Sequence, residues 1–136
     1  MTPKEKLMNR IEFHFDCLDG RYFFTAVEDD GIIRFTSEST IAELESSEGE
    51  LSKEDSELFV KRIDEAGIER WEKEYRPVLS KIEDGVKWKV ILYRNEKEYV
   101  SKGEETYEPY GYDKLIDALR LCEGKASYFS AEANDE

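Results

Sequence analysis

The first strong pattern in the chain is a strict alternation over residues 11–17, Ile-Glu-Phe-His-Phe-Asp-Cys. It sets Ile11, Phe13, Phe15 and Cys17 on one face and Glu12, His14 and Asp16 on the other, which predicts a half-buried strand. Asp19-Gly20 is a hairpin signal, and Tyr22 to Val27 is aromatic and β-branched on both faces, as a central strand would be. Asp29-Asp30-Gly31 supplies residues that tolerate positive φ, and Ile32 to Thr36 returns as the third strand of a meander. From Ser37 to Glu50 the only apolar relief is Ile41, Ala42 and Leu44 among Glu38, Glu43, Glu45, Glu48 and Glu50. That composition predicts a solvated connection with one helical turn.

The period then changes. Ser52-Lys53-Glu54-Asp55 resembles a capping box with Asp in the Glu position, and Leu58, Phe59, Ile63 and Ala66 follow on one helical face. A helix over 53–66 is expected, ended by Gly67 in the left-handed conformation with Ile68 packed back on Ile63. Trp71, Lys73 and Tyr75 alternate against Glu72 and Glu74, the pattern of a short strand before Pro77, although helix fits so few residues equally well. Asp84-Gly85 opens a strand with Val86, Trp88, Val90 and Leu92 on one face and Lys87 and Lys89 on the other. Arg94 to Lys97 turns it into a partner with Tyr99 and Ser101 on one side and Val100 on the other, broken by Gly103. A last helix over 112–122 presents Tyr112, Leu115, Ile116, Leu119 and Cys122 and stops at Gly124.

The element order β-β-β-(acidic connection)-α-(β)-β-β-α implies an α+β fold, an antiparallel sheet of five to six strands with two helices packed on one face. The expected core is Phe13, Phe15, Phe23, Phe35, Phe59, Ile63, Trp88, Val90, Leu115 and Leu119. A length of 136 residues suits one domain over 1–136, with 1–9 and 125–136 as frayed ends.

Charge narrows the function classes. Twenty Lys and Arg against 33 Asp and Glu leave a net charge of −13, which argues against binding nucleic acid or anionic lipid, since both rely on cationic side chains releasing counterions. No positively charged start is followed by an apolar run of signal-peptide or membrane-span length, so a cytoplasmic location is expected. Cys17 and Cys122 fall at apolar positions of their patterns and read as small buried hydrophobes rather than a disulfide.

Candidate chemistry is sparse. The single His14 lies on the polar face of a strand, which leaves no nucleophile–base pair, and one His with two distant Cys does not make a zinc site. Glu28-Asp29-Asp30-Gly31 lacks the spacing of an EF-hand, and the dispersed glycines form no phosphate loop, so neither metal nor other cofactor is expected. Paired carboxylates acting as acid and base remain open as an alternative. Two features suit partner binding instead: the acidic run 43–57, with Glu43, Glu45, Glu48, Glu50, Glu54, Asp55 and Glu57, and the aromatic cluster Tyr107, Tyr110 and Tyr112 around Pro109.

Asp84-Gly85-Val86-Lys87-Trp88, then Ser101-Lys102-Gly103, Tyr107, Pro109, Tyr112 and Leu115, resembles the C-terminal half of a loose group of small acidic bacterial α+β proteins of unknown function. Their pattern is a D-G-x-x-W strand, a hairpin ending in Gly, a Tyr-Pro loop and a closing helix. The resemblance covers about residues 68–122. This chain has Glu105 where the pattern has Asn and an extra Glu108 before Pro109. Some proteins of this appearance are immunity proteins that neutralise a secreted toxin, and the resemblance implies such a role. The expectation is therefore a non-catalytic protein-binding module for a basic partner, with Glu43, Glu45, Glu48, Glu50, Tyr107 and Tyr110 at the interface. A homo-oligomeric subunit is the third alternative, and it predicts a large apolar patch on the free sheet face.

Overall fold

The long alternating segments at 10–17 and 87–94 form strands, and the covered face of each is its apolar face. A computed structural model describes residues 9–17, 19–41, 44–75, 87–104 and 109–123. Three strands, β1 (Arg10–Cys17), β2 (Gly20–Asp29) and β3 (Ile32–Ser39), form the expected meander. The helix α1 (Lys53–Ala66) starts where Ser52 Oγ accepts the Asp55 N–H at 3.0 Å and ends at Gly67, whose φ of 69° is left-handed. A single 3₁₀ turn, Ile68–Arg70, follows at once.

The acidic connection and the strand count are corrected, while the short strand before Pro77 is present. The acidic connection contains a fourth strand, β4 (Ser47–Glu50), paired with an extended β3 rather than coiled in a helical turn. Serine hydroxyls supply what apolar side chains do not: Ser37 Oγ accepts the Ser47 N–H at 3.1 Å and Ser46 Oγ the Ser39 N–H at 3.0 Å. The alternation before Pro77 yields only β5 (Glu74–Tyr75), which pairs in parallel with residues 102–103. With β6 (Lys87–Arg94) and β7 (Lys97–Glu104) the sheet has seven strands, not five or six, in the order β4-β3-β2-β1-β6-β7-β5. Val86, Asp84, Gly85 and Gly124 lie outside the described residues.

The covered face carries Ile11, Phe13, Phe15, Phe24, Ile33, Trp88, Val90 and Leu92, packed against Phe59 and Ile63 of α1 and Leu115 and Leu119 of α2 (Tyr112–Leu119). The second helix is shorter than expected, and its last residues continue as turns through Cys122. Phe35 is only partly buried against this core, and Phe23 is not in it, because its register opposite His14 puts it on the other face of β2. The two helices run in opposite directions. The first turn of α1 is tied to β3 where the buried Ser56 Oγ accepts the Ile33 N–H at 2.9 Å. Its far end meets the residues before α2, where Trp71 Nε1 donates to Ala66 O at 2.9 Å and Tyr110 O at 3.1 Å. Arg94 fastens the β6–β7 hairpin to the same end through Asp64 at 2.6 Å and Glu69 at 2.8 Å.

An aromatic cluster closes the core under β6 and β7. Trp88 lies 6.0 Å from Trp71, 6.0 Å from Tyr75 and 5.5 Å from Tyr112, centroid to centroid. Such contacts add about 0.5–1.5 kcal/mol each beyond burial. The indole reaches them by lying over Gly103, its cross-strand partner, where a Cβ would come 2.5 Å from the ring. Trp88→Ala is expected to cost about 3–5 kcal/mol. Gly103→Ala is expected to cost about 1–3 kcal/mol through overpacking. In urea denaturation the double variant should cost less than the sum of the singles, because removing the indole removes the clash; strict additivity would refute this packing.

Candidate functional site

The uncovered face of the sheet gathers the polar half of every alternating strand, and the strand register arranges these residues in rows. One row runs Glu38, Phe23, His14, Lys89, Lys102, Glu74 across six strands. Its neighbour on one side runs Arg21, Asp16, Lys87, and on the other Thr36, Thr25, Glu12, Ile91, Val100. A fourth runs Glu50, Arg34, Val27, Arg10, Tyr93, Glu98. The exposed large apolar residues here are Val27 and Val100, on strands separated by β1 and β6. The described part of this face is therefore a charged checkerboard and not the apolar patch a homo-oligomer would present.

Glu12 is unusual on this face, because, like its cross-strand partner Ile91, it is only 8% exposed although no described element covers it. Its carboxylate accepts from Arg10 Nη2 at 2.5 Å and stands 3.5 Å from His14 Nε2. The His14 ring also lies against Phe23, with centroids 4.5 Å apart. The histidine is thus half-buried and held by a carboxylate and a ring, more constrained than the surface histidine its position on a polar strand face suggests. It borders a groove of about 390 Å³ whose other charged walls are Asp16, Glu74, Lys87, Lys89 and Lys102.

The residues singled out for partner binding lie away from this groove, at the β4 edge of the sheet and at the end of α1. Glu45, Glu48 and Glu50 are all exposed, the last two on the edge strand β4, where Arg34 Nε approaches Glu50 at 3.5 Å. Tyr110 is 100% exposed and sits at the far end of α1, bordering a cavity of about 170 Å³ together with Glu65 and Trp71. The acidic edge and Tyr110 are therefore not neighbours. They are joined along α1 by the exposed Glu54, Asp55, Glu57, Asp64 and Glu65. Glu43 and Tyr107 lie outside the described residues.

Among the described residues no group of three or more His, Cys, Asp or Glu side chains is placed to hold a metal ion, and no helix is long and apolar enough to cross a membrane. Alternation alone put His14, Lys87 and Lys89 on polar faces. What it did not reveal is that β1 and β6 are neighbours, which makes one site of them. No protein-family model matches the chain, and no curated protein does.

Cys17 and Cys122 are both thiols and both half-buried. Burial, with Glu123 and then Asp55 nearby, pushes the Cys122 thiol up to about 12. Burial, with Glu123, also raises the Tyr22 phenol well above its ordinary range. Raised folded-state values mean that both groups favour folding while protonated. Their contribution is complete below the unfolded values, about 8.5 and 10, and is lost as pH rises through the folded ones. With Cys17→Ser, thiol-reagent labelling of native Cys122 at about pH 9 should be far slower than in urea, since only the thiolate reacts. Equal rates would show that the thiol is not held protonated.

Proposed function

We propose that this chain is a non-catalytic, cytoplasmic protein-binding module, of the immunity-protein kind, that docks a basic partner along α1 from the β4 edge to Tyr110. One observation carries the reading. Exposed carboxylates stand at Glu48 and Glu50 on the edge strand and at Glu54, Asp55, Glu57 and Glu65 along α1, outnumbering the exposed Lys53 and Lys61, and lead to a wholly exposed tyrosine. Three physical arguments support it. A field of one sign speeds encounter with a partner of the other. A tyrosine with no burial of its own is the side-chain type that anchors the desolvated centre of an interface. The α1 helix, with 14 residues, spans about 21 Å, and a standard interface of about 800 Å² per partner covers about that distance.

The partner class follows from charge. A toxin domain that attacks nucleic acid must carry Lys and Arg to grip phosphates, and an acidic surface occupies those groups directly. The charged side chains on β4 also guard an exposed sheet edge against pairing with other strands, so the same residues serve solubility and recognition.

Co-purification from the native host with mass spectrometry names the partner, and the purified pair then tests the surface. Reversal of Glu45, Glu48 and Glu50 to Lys is expected to slow association about tenfold or more at low salt, an effect that fades as ionic strength rises. Tyr110→Ala is expected to speed dissociation about 30-fold or more, the effect of losing about 2 kcal/mol of a hot spot. Association and dissociation rates that are unchanged in both variants would overturn the reading. A partner that proves acidic would do the same.

A further inference from the structure

A chain with a net charge of −13 has carboxylates to spare, and the arginines on the open sheet face have found them. Arg10 pairs with Glu12, Arg21 approaches Asp16 at 3.9 Å, and Arg34 approaches Glu50 at 3.5 Å and Asp29 at 3.9 Å. The lysines of the same face have not. Among the described residues no carboxylate lies within 4 Å of the amines of Lys87, Lys89 or Lys102. All three line the groove of about 390 Å³ at the β1, β6, β7 and β5 end of the sheet. A second hollow adjoins it, sharing Lys89 and Lys102 and adding Lys73.

Register sets Lys87 opposite Asp16 and Glu104 and Lys102 opposite Glu74, but it also sets two of the lysines opposite each other. Lys89 and Lys102 are direct cross-strand partners on β6 and β7, and His14 is the partner of Lys89 on its other side. Directly opposite side chains have Cβ atoms about 5 Å apart, where like charges repel. Lys87 is two residues along β6 on the same face, about 7 Å away. The three long side chains can therefore bring their amines onto one small group. Local rules are broken in this way mostly at functional positions.

The groove also has a built wall. The nine-tenths buried carboxylate of Glu12 stands 3.5 Å from His14 Nε2, and Phe23 lies against the ring, so the imidazole at the groove's edge is held from two sides. Asp16 faces Arg21 on the next row, and Glu74 marks the outer end across from Lys102. The volume lies within the ordinary range for small-molecule sites, about 300–1,000 Å³.

We propose that this groove is a binding site for a small, multiply charged anion, bearing either phosphate groups or clustered carboxylates, held by Lys87, Lys89 and Lys102 beside His14. The site is separate from the acidic docking surface along α1, and its charge is of opposite sign, so one surface can fail its test and leave the other standing.

Isotope-labelled full-length protein would be titrated with pyrophosphate and, separately, with citrate at constant ionic strength. Saturable shifts are expected at the amides of His14, Lys87, Lys89 and Lys102. Lys89→Gln with Lys102→Gln is expected to weaken binding about tenfold or more, the scale of losing charge-assisted contacts. This variant should fold, because it removes a like-charge pair. A control with the same charge change on α1, Lys53→Gln with Lys61→Gln, should alter binding by less than about twofold, since exposed charges that far off are screened. Preference between the two anions assigns the charge chemistry. Absence of saturable shifts with both anions, or an equal loss in the control, would overturn the proposal.

Discussion

The close approach of the Trp88 indole to the backbone of Gly103 is the contact on which the rest of this structure turns. A side chain at position 103 would meet the ring at 2.5 Å, so only glycine lets β6 and β7 pair in this register with the indole flat against the sheet. From there the ring meets Trp71 and Tyr75, from the short segment after α1, and Tyr112, which opens α2 well apart in sequence. The consequences reach both surfaces. Trp71, fixed in the cluster, donates to Ala66 O and Tyr110 O and so sets the exposed tyrosine beside the end of α1. On the opposite side, Trp88 and Gly103 form part of the lining of the lysine groove.

The second organising feature is the asymmetry of the sheet. Two helices cover one face, and the other keeps the polar half of every strand. Burial on the covered face is conventional, aromatic and aliphatic, and it needs little help from charge. The open face is ordered by cross-strand pairs instead, and here the two kinds of cation separate. The Arg side chains stand against carboxylates on their own or a neighbouring strand, while Lys87, Lys89 and Lys102 together line a groove. A planar guanidinium gains from a fixed carboxylate partner, whereas an ammonium on a flexible stem stays solvated at little cost until an anion arrives.

Where a repeating pattern was long, the elements were legible. The β1 alternation, the Ser52 cap, the Gly67 stop and the extent of α1 all stand in the sequence as they stand in the fold. Where the signal was carried by something other than hydrophobicity, it was missed. Strand β4, Ser-Glu-Gly-Glu, has no apolar residue to mark it and is held by serine hydroxyls from β3 and its own loop. Phe23 looked like core because it is aromatic within an apolar run, but β2 is apolar on both faces, so composition could not say which side the helices would cover.

The candidate site divides along the same line. Sequence by itself determined which residues share a face, because side-chain period is a property of the local backbone: Glu12, His14 and Asp16 together, Lys87 and Lys89 together, the carboxylates of 45–57 exposed. Tertiary structure alone decided which faces meet. The insertion of β1 between β2 and β6 sets His14 beside Lys89, and the pairing of β6 with β7 sets Lys89 beside Lys102. Those neighbours are far apart in the chain, and their pairing is settled by closing long loops around one shared core, a balance that no local window of sequence contains.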